Sequence, residues 1–97
     1  MGKIQEERQI YIEYTQLISQ LFGDLDENVK IIEKELGVGI LLRDGSIIVK
    51  GDRLSVELGE RLIYKLAEII NSQKKLTKQE LRYTIQLILE GKEERVK

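Results

Sequence analysis

The stretch from Val38 to Gly51 constrains this chain more than any other. Val38, Ile40 and Leu42 alternate on the way in, and Ile47 and Val49 alternate on the way back. Successive side chains of a strand point to opposite faces, so this spacing reads as two strands rather than a helix. Asp44-Gly45 between them is a strong two-residue hairpin signal, because that turn needs positive φ at both central positions. In this register Leu42 faces Ile47 and Ile40 faces Val49 on one side of the sheet, while Leu41 pairs with Ile48 on the other. Gly51 ends the hairpin. Two strands alone are barely stable in water, so the flanking segments have to cover one face.

Those segments carry the covers. Residues 8–13 give a third short strand, with Ile10 and Ile12 facing one way and Tyr11 the other. Leu17, Ile18, Leu21 and Phe22 follow at helical spacing, and Gly23 is expected to stop that helix. Asp24 is placed to cap a second helix, with Glu27 as its capping-box partner. Val29, Ile32 and Leu36 form its inner stripe, Lys30, Glu33 and Lys34 stay wet, and Gly37 ends it. A long helix is expected over about 53–71, with Leu54, Leu58, Leu62, Leu66 and Ile69 inward. Thr77-Lys78-Gln79-Glu80 is a capping box for a last helix, with Leu81, Ile85, Ile88 and Leu89 inward and Gly91 closing it. The short connection predicts that this helix packs along the long one.

Composition then removes whole classes of function. A chain of 97 residues that is 41% hydrophobic has material for one core. There is no histidine and no cysteine, which removes the commonest general base, thiolate metal sites and disulfides. Sixteen basic against 17 acidic residues leave a formal net charge of −1, which excludes a uniform basic field but not a local patch. No apolar run approaches the length of a membrane span, and the N-terminus has neither a signal-peptide core nor a myristoylation signal. The expected setting is a reduced, cytoplasmic one, without a membrane. Asp24, Asp26, Asn28 and Glu35 fall at calcium-loop spacing, but Val29 stands where that loop needs glycine, so these residues read as helix capping. Gly37-Val38-Gly39 follows a helix instead of preceding one, so it reads as a helix stop and not a dinucleotide loop.

The run from Phe22 to Ile40 resembles the heart of a KH domain. It carries a glycine loop, a helix, a Gly-Val stop and a strand, and Asp44 to Gly51 is similar to the KH hairpin that follows. Leu21-Phe22-Gly23, Leu25 to Asn28, Ile32-Glu33 and Leu36-Gly37-Val38 resemble the N-terminal region of PhoH-family ATPases. So do Leu76-Thr77, Leu81-Arg82-Tyr83, Ile85 and Glu90-Gly91. The resemblance runs from about residue 8 to 91 and implies a KH-like α+β fold: a three-stranded sheet packed by three helices with one additional C-terminal helix. It implies residues 1–7 as a flexible N-terminus, 8–91 as the domain, and 92–97 as the start of a linker toward an ATPase domain outside this chain.

The functional expectations follow from that family. A KH loop is Gly-x-x-Gly, which brings backbone amides and a helix N-terminus up to RNA phosphates. Here Gly23 fills the first position and Asp26 the second, and Asp24, Asp26 and Glu27 put negative charge where phosphate would sit. The best basic-aromatic cluster is Lys74, Lys75, Lys78 and Arg82 with Tyr83. The expected nucleic-acid residues are therefore Gly23, Lys30, Lys74, Lys75, Lys78, Arg82 and Tyr83. ATPase chemistry needs Gly-x-x-x-x-Gly-Lys-Ser/Thr, and no such run occurs. This chain is thus expected to be non-catalytic and to hold no cofactor or metal, with ATP and Mg belonging to the parent protein. The expected partners are single-stranded RNA or DNA. The alternative is a docking module, in which Tyr11, Leu41 and Ile48 on the second sheet face contact the parent ATPase domain or a second copy.

Overall fold

A computed structural model describes residues 5–11, 15–73 and 75–91, the side chains at 15, 16 and 24 excepted. The elements run β1 (Gln5–Ile10), α1 (Thr15–Leu36), β2 (Gly39–Arg43), β3 (Ser46–Asp52), α2 (Arg53–Gln73) and α3 (Lys78–Glu90). The three strands form one antiparallel sheet in the order β1-β3-β2. The fold is α+β.

The hairpin has the expected register: Ile40 opposite Val49, Leu41 opposite Ile48 and Leu42 opposite Ile47. Asp44 at φ 52° and Gly45 at φ 79° make the tight turn. Both central residues are left-handed, which matches the twist of the flanking strands.

β1 begins earlier than the apolar pattern suggested. Residues 5–7, expected to be flexible, are strand, and Ile12 lies outside the described residues. The ladder to β3 and the buried Ile10 hold this edge, and the polar residues before Ile10 add ion pairs. Arg8 bonds Glu60 of α2 and Glu6, and Glu6 also meets Arg53 at 3.6 Å. On the opposite face Glu7 lies between Arg43 and Lys50, at 3.6 and 3.4 Å. Charges on an edge strand discourage pairing with a stranger's edge.

α1 is where the chain reverses hand. Gly23 does not stop the helix; the break falls two residues later, where Leu25 (φ 64°) and Asp26 (φ 61°) are both left-handed. A right-handed helix cannot pass through two such residues, so α1 is divided into two arms. The Asn28 side-chain amide spans the break by donating to the Gln20 carbonyl at 2.7 Å, one of the acceptors a helix end leaves free. The expected cap at Asp24 rests on a side chain outside the described ones. At the far end Gly37 (φ 70°) donates to the Glu33 carbonyl at 2.9 Å and turns the chain into β2.

α2 lies over β3 and β1, with α1 and α3 against it. Its buried residues are Val56, Gly59, Leu62, Ile63, Leu66, Ala67 and Ile70. The expected stripe is corrected at its ends, since Leu54 is exposed and Leu58 and Ile69 are half-buried. Steps of four drift about 40° around a helix each time, whereas alternating steps of three and four stay on one face. Asp52 caps α2 by accepting from the Ser55 N–H at 3.0 Å, a cap the sequence pattern did not single out. α3 packs on α2 and α1. Its capping box is formed as expected, with Thr77 accepting from the Glu80 N–H and Glu80 accepting from the Thr77 N–H, both at 3.0 Å. Leu81, Ile85 and Ile88 face inward together with Thr84 and Leu87, but Leu89 is exposed. Gly91 at φ 72° closes the helix.

Candidate nucleic-acid interface

The break in α1 and the α2–α3 connection meet. Between them lies a cleft of about 320 Å³ lined by Ser19, Gln20, Gly23, Glu27, Asn28, Lys75, Leu76 and Lys78. Gln20 is its hinge: its backbone carbonyl takes Asn28, and its side-chain oxygen accepts the Leu76 N–H at 3.2 Å. One residue therefore ties both arms of α1 to the connection. Leu76 is buried beneath the cleft, and it anchors the stretch that carries Lys75 and Lys78.

Three of the expected residues, Gly23, Lys75 and Lys78, come together here. Lys78 is already engaged, with its ammonium 3.0 Å from Glu27 Oε1 and 3.1 Å from Asn28 Oδ1. Lys75 is exposed, and among the described residues no ion pair reaches it. Lys74 lies outside the described residues. Lys30 is exposed on the second arm of α1 but does not line the cleft. Arg82 lines a separate groove of about 180 Å³ with Glu35, Ile85 and Gln86, and Tyr83 beside it is exposed. Of the expected set, Gly23, Lys75 and Lys78 thus share the cleft, whereas Lys30, Arg82 and Tyr83 do not line it.

Ser19, Gln20, Asn28 and Leu76 complete the cleft and were missed in the sequence. Gln20 and Asn28 are eight residues apart on different arms, so helical periodicity does not relate them. Only the position of the chain reversal at 25–26 does, and a leucine is a poor marker of left-handed backbone.

The other sheet face is less open than the strand pattern implied. Leu41 and Ile48 are neighbours there, as their pairing requires. Ile48, however, is only 1% exposed, Leu41 is half-buried, and Tyr11 is 74% exposed. Ile48 sits on the central strand with Gln9 and Leu41 opposite it on either side, so it offers no surface to a partner. Among the described residues no group of acidic side chains could hold a metal ion, and no helix is long and apolar enough to cross a membrane.

The PhoH-like protein of Bacillus subtilis (strain 168) is 31% identical over 67 residues, covering 69% of this chain. The chain is related to the PhoH-like proteins. The PhoH-like proteins of Mycobacterium tuberculosis (strain H37Rv) and Mycobacterium leprae are each 29% identical over 73 residues, or 75% of this chain. The chain spans 21%, about a fifth, of the length of each of these relatives. No family model matches it. No solved structure matches it either.

Proposed function

We propose that this chain is a KH-like, non-catalytic accessory domain of a cytoplasmic PhoH-like ATP-binding protein, and that it binds single-stranded RNA weakly through the cleft beside Gly23. One observation carries the reading: the turn after Gly23 and the lysines of the α2–α3 connection wall the same cleft. Lysines along one wall of an open cleft suit a phosphodiester chain, which needs charge and close approach rather than a deep pocket. The affinity is expected to be low because Glu27 lines the cleft and pairs with Lys78, and Asp26 next to it adds a second negative charge. ATP and Mg are assigned to the parent protein, since the chain has no phosphate-binding Gly-Lys-Ser/Thr loop.

Titration of a labelled single-stranded RNA at low and at moderate salt tests this. The expected dissociation constant is in the range of roughly 10⁻⁴–10⁻⁶ M, weakening with salt. Lys75→Glu should weaken binding to all sequences alike and flatten the salt dependence by about 0.7 per lost contact on a log–log plot. Absence of saturable binding at low salt would overturn the reading. Preference for single-stranded DNA would change the nucleic acid and keep the site. Docking onto the parent ATPase domain or a second copy is the competing reading, supported by exposed Tyr11 and weakened by buried Ile48.

A further inference from the structure

The lysine best placed to meet a phosphate in the cleft is already occupied. An ammonium has three N–H donors, and two of those of Lys78 are engaged by Glu27 Oε1 (3.0 Å) and Asn28 Oδ1 (3.1 Å), both residues that line the cleft. These two contacts join the turn of α1 to the first residue of α3, fifty positions away in the chain. Asn28 is neutral and also donates to Gln20, so it belongs to the frame that holds the turn. Glu27 makes no other described bond. Its carboxylate is half-exposed, and an ion pair in that setting is worth little in water.

We propose that Glu27 is a competitive latch on the RNA site, holding Lys78 until a phosphate displaces it. This rests on the nucleic-acid reading above. A phosphate oxygen bound to the same ammonium would stand close to the Glu27 carboxylate, where two anions repel. The phosphate therefore cannot simply add to the pair; it has to replace Glu27, while Asn28 stays in place. A weak exposed pair makes that exchange cheap, yet the competitor lowers affinity and favours ligands that engage several lysines together. A single free phosphate has only Lys78 to gain, whereas a strand reaching Lys75 has two cations.

The test is a double-mutant comparison with a short labelled single-stranded RNA, using wild type, Glu27→Gln, Lys78→Gln and the double variant. Glu27→Gln should tighten binding roughly two- to fivefold, the scale of one exposed ion pair. Its log–log salt slope should stay close to that of wild type, since the bound strand contacts Lys78 in both, whereas Lys78→Gln should flatten the slope by about 0.7. In the Lys78→Gln background, Glu27→Gln should have almost no effect. Glu27→Asp, which keeps the charge on a shorter stem, should fall between wild type and Glu27→Gln. Equal tightening with and without Lys78 would overturn the latch and leave a general repulsion. Unchanged binding by Glu27→Gln, while wild type binds, would overturn the latch alone. If no variant binds RNA at low salt, both the latch and the RNA reading fail. Melting curves for each variant keep folding separate from binding.

Discussion

The carboxylate of Glu33 accepts the backbone N–H of Ile40 at 2.8 Å. β2 is an edge strand, so its free side presents amides with no partner in the ladder. Glu33 takes one of them and fixes the second arm of α1 against the sheet, although the helix pattern puts this residue on the wet side. Glu33→Ala is expected to cost about 1–2 kcal/mol, the loss of a hydrogen bond to a charged acceptor in a half-buried place. Glu33→Gln keeps an acceptor oxygen and should cost less. Urea unfolding midpoints check both, and an unchanged midpoint for Glu33→Ala would show that water serves the Ile40 amide equally well.

The hairpin turn allows a cost to be assigned to backbone conformation alone. No atom lies within 4 Å of a Cβ placed on Gly45, so a side chain there meets open space. Its φ of 79° is nevertheless unfavourable for a side chain, most of all a β-branched one. Gly45→Ala is expected to lower stability by about 1 kcal/mol and Gly45→Val by about 1–2 kcal/mol. Asp44→Asn should be close to neutral, because asparagine tolerates the same left-handed region. Thermal melts of the three variants test the order, and Val tolerated as well as Gly would refute the turn.

Gly59 sets how near α2 can come to the sheet. A Cβ added there would stand 3.0 Å from Val49 Cγ1, at the buried centre of β3. Two effects oppose one another. Alanine in a helix interior gains about 0.5–1 kcal/mol over glycine, whereas crowding a packed core costs about 1–3 kcal/mol. Gly59→Ala is therefore expected to destabilise the wild-type core. In a Val49→Ala background the crowding is gone, and the same change should stabilise. A double-mutant cycle with the same sign in both backgrounds would show that the contact does not limit the packing.

What could be read in the sequence follows from how local its cause is. The Asp44-Gly45 turn, the Thr77–Glu80 box and the Gly37 and Gly91 stops depend on neighbours within a few residues, and each is present in the fold. β1 is different. Gln5 to Gln9 contain no apolar residue, and what makes them strand is the ladder to β3, to which no local pattern points. The α2 stripe was misjudged because leucines four apart look continuous on paper and drift around the helix. For the cleft, Gly23, Lys75 and Lys78 were legible as residue types. Their frame of Gln20, Asn28 and Leu76 depends on two left-handed residues in mid-helix, and Leu25 gives no sign of that role.

Glu80 makes the start of α3 sensitive to acid. The Thr77 backbone N–H, and next the Gln73 amide, hold its carboxyl below the ordinary value. Because the folded value is the lower one, the charged form stabilises the fold at any pH above the ordinary glutamate range. That contribution is lost as pH falls through the lowered value. Glu80→Gln keeps a hydrogen-bonding side chain but cannot carry the charge. The stability gap between wild type and Glu80→Gln should thus be present at neutral pH and shrink as pH falls below the ordinary glutamate range. Urea titrations at several pH values measure it, and a gap that stays constant would show that the charge of Glu80 does not matter.

Leu25 and Asp26 separate backbone strain from charge at the tip of α1. Both are left-handed, but they differ in what that conformation costs. For leucine it is about 1–2 kcal/mol, whereas aspartate visits the region more readily. Leu25 is also 89% exposed, so replacing it forfeits little burial. Leu25→Gly is therefore expected to stabilise by a few tenths of a kcal/mol up to about 1, after the extra unfolded-state entropy of glycine is subtracted. Asp26→Gly should leave stability nearly unchanged, because relief of strain and that entropy are of similar size. Its effect lies in binding, since it removes a negative charge beside the cleft and restores the Gly-x-x-Gly spacing with Gly23. RNA affinity is expected to rise for Asp26→Gly and for Asp26→Asn alike, and to change little for Leu25→Gly. If only the glycine variant binds more tightly, backbone approach at the turn, and not charge, limits the site.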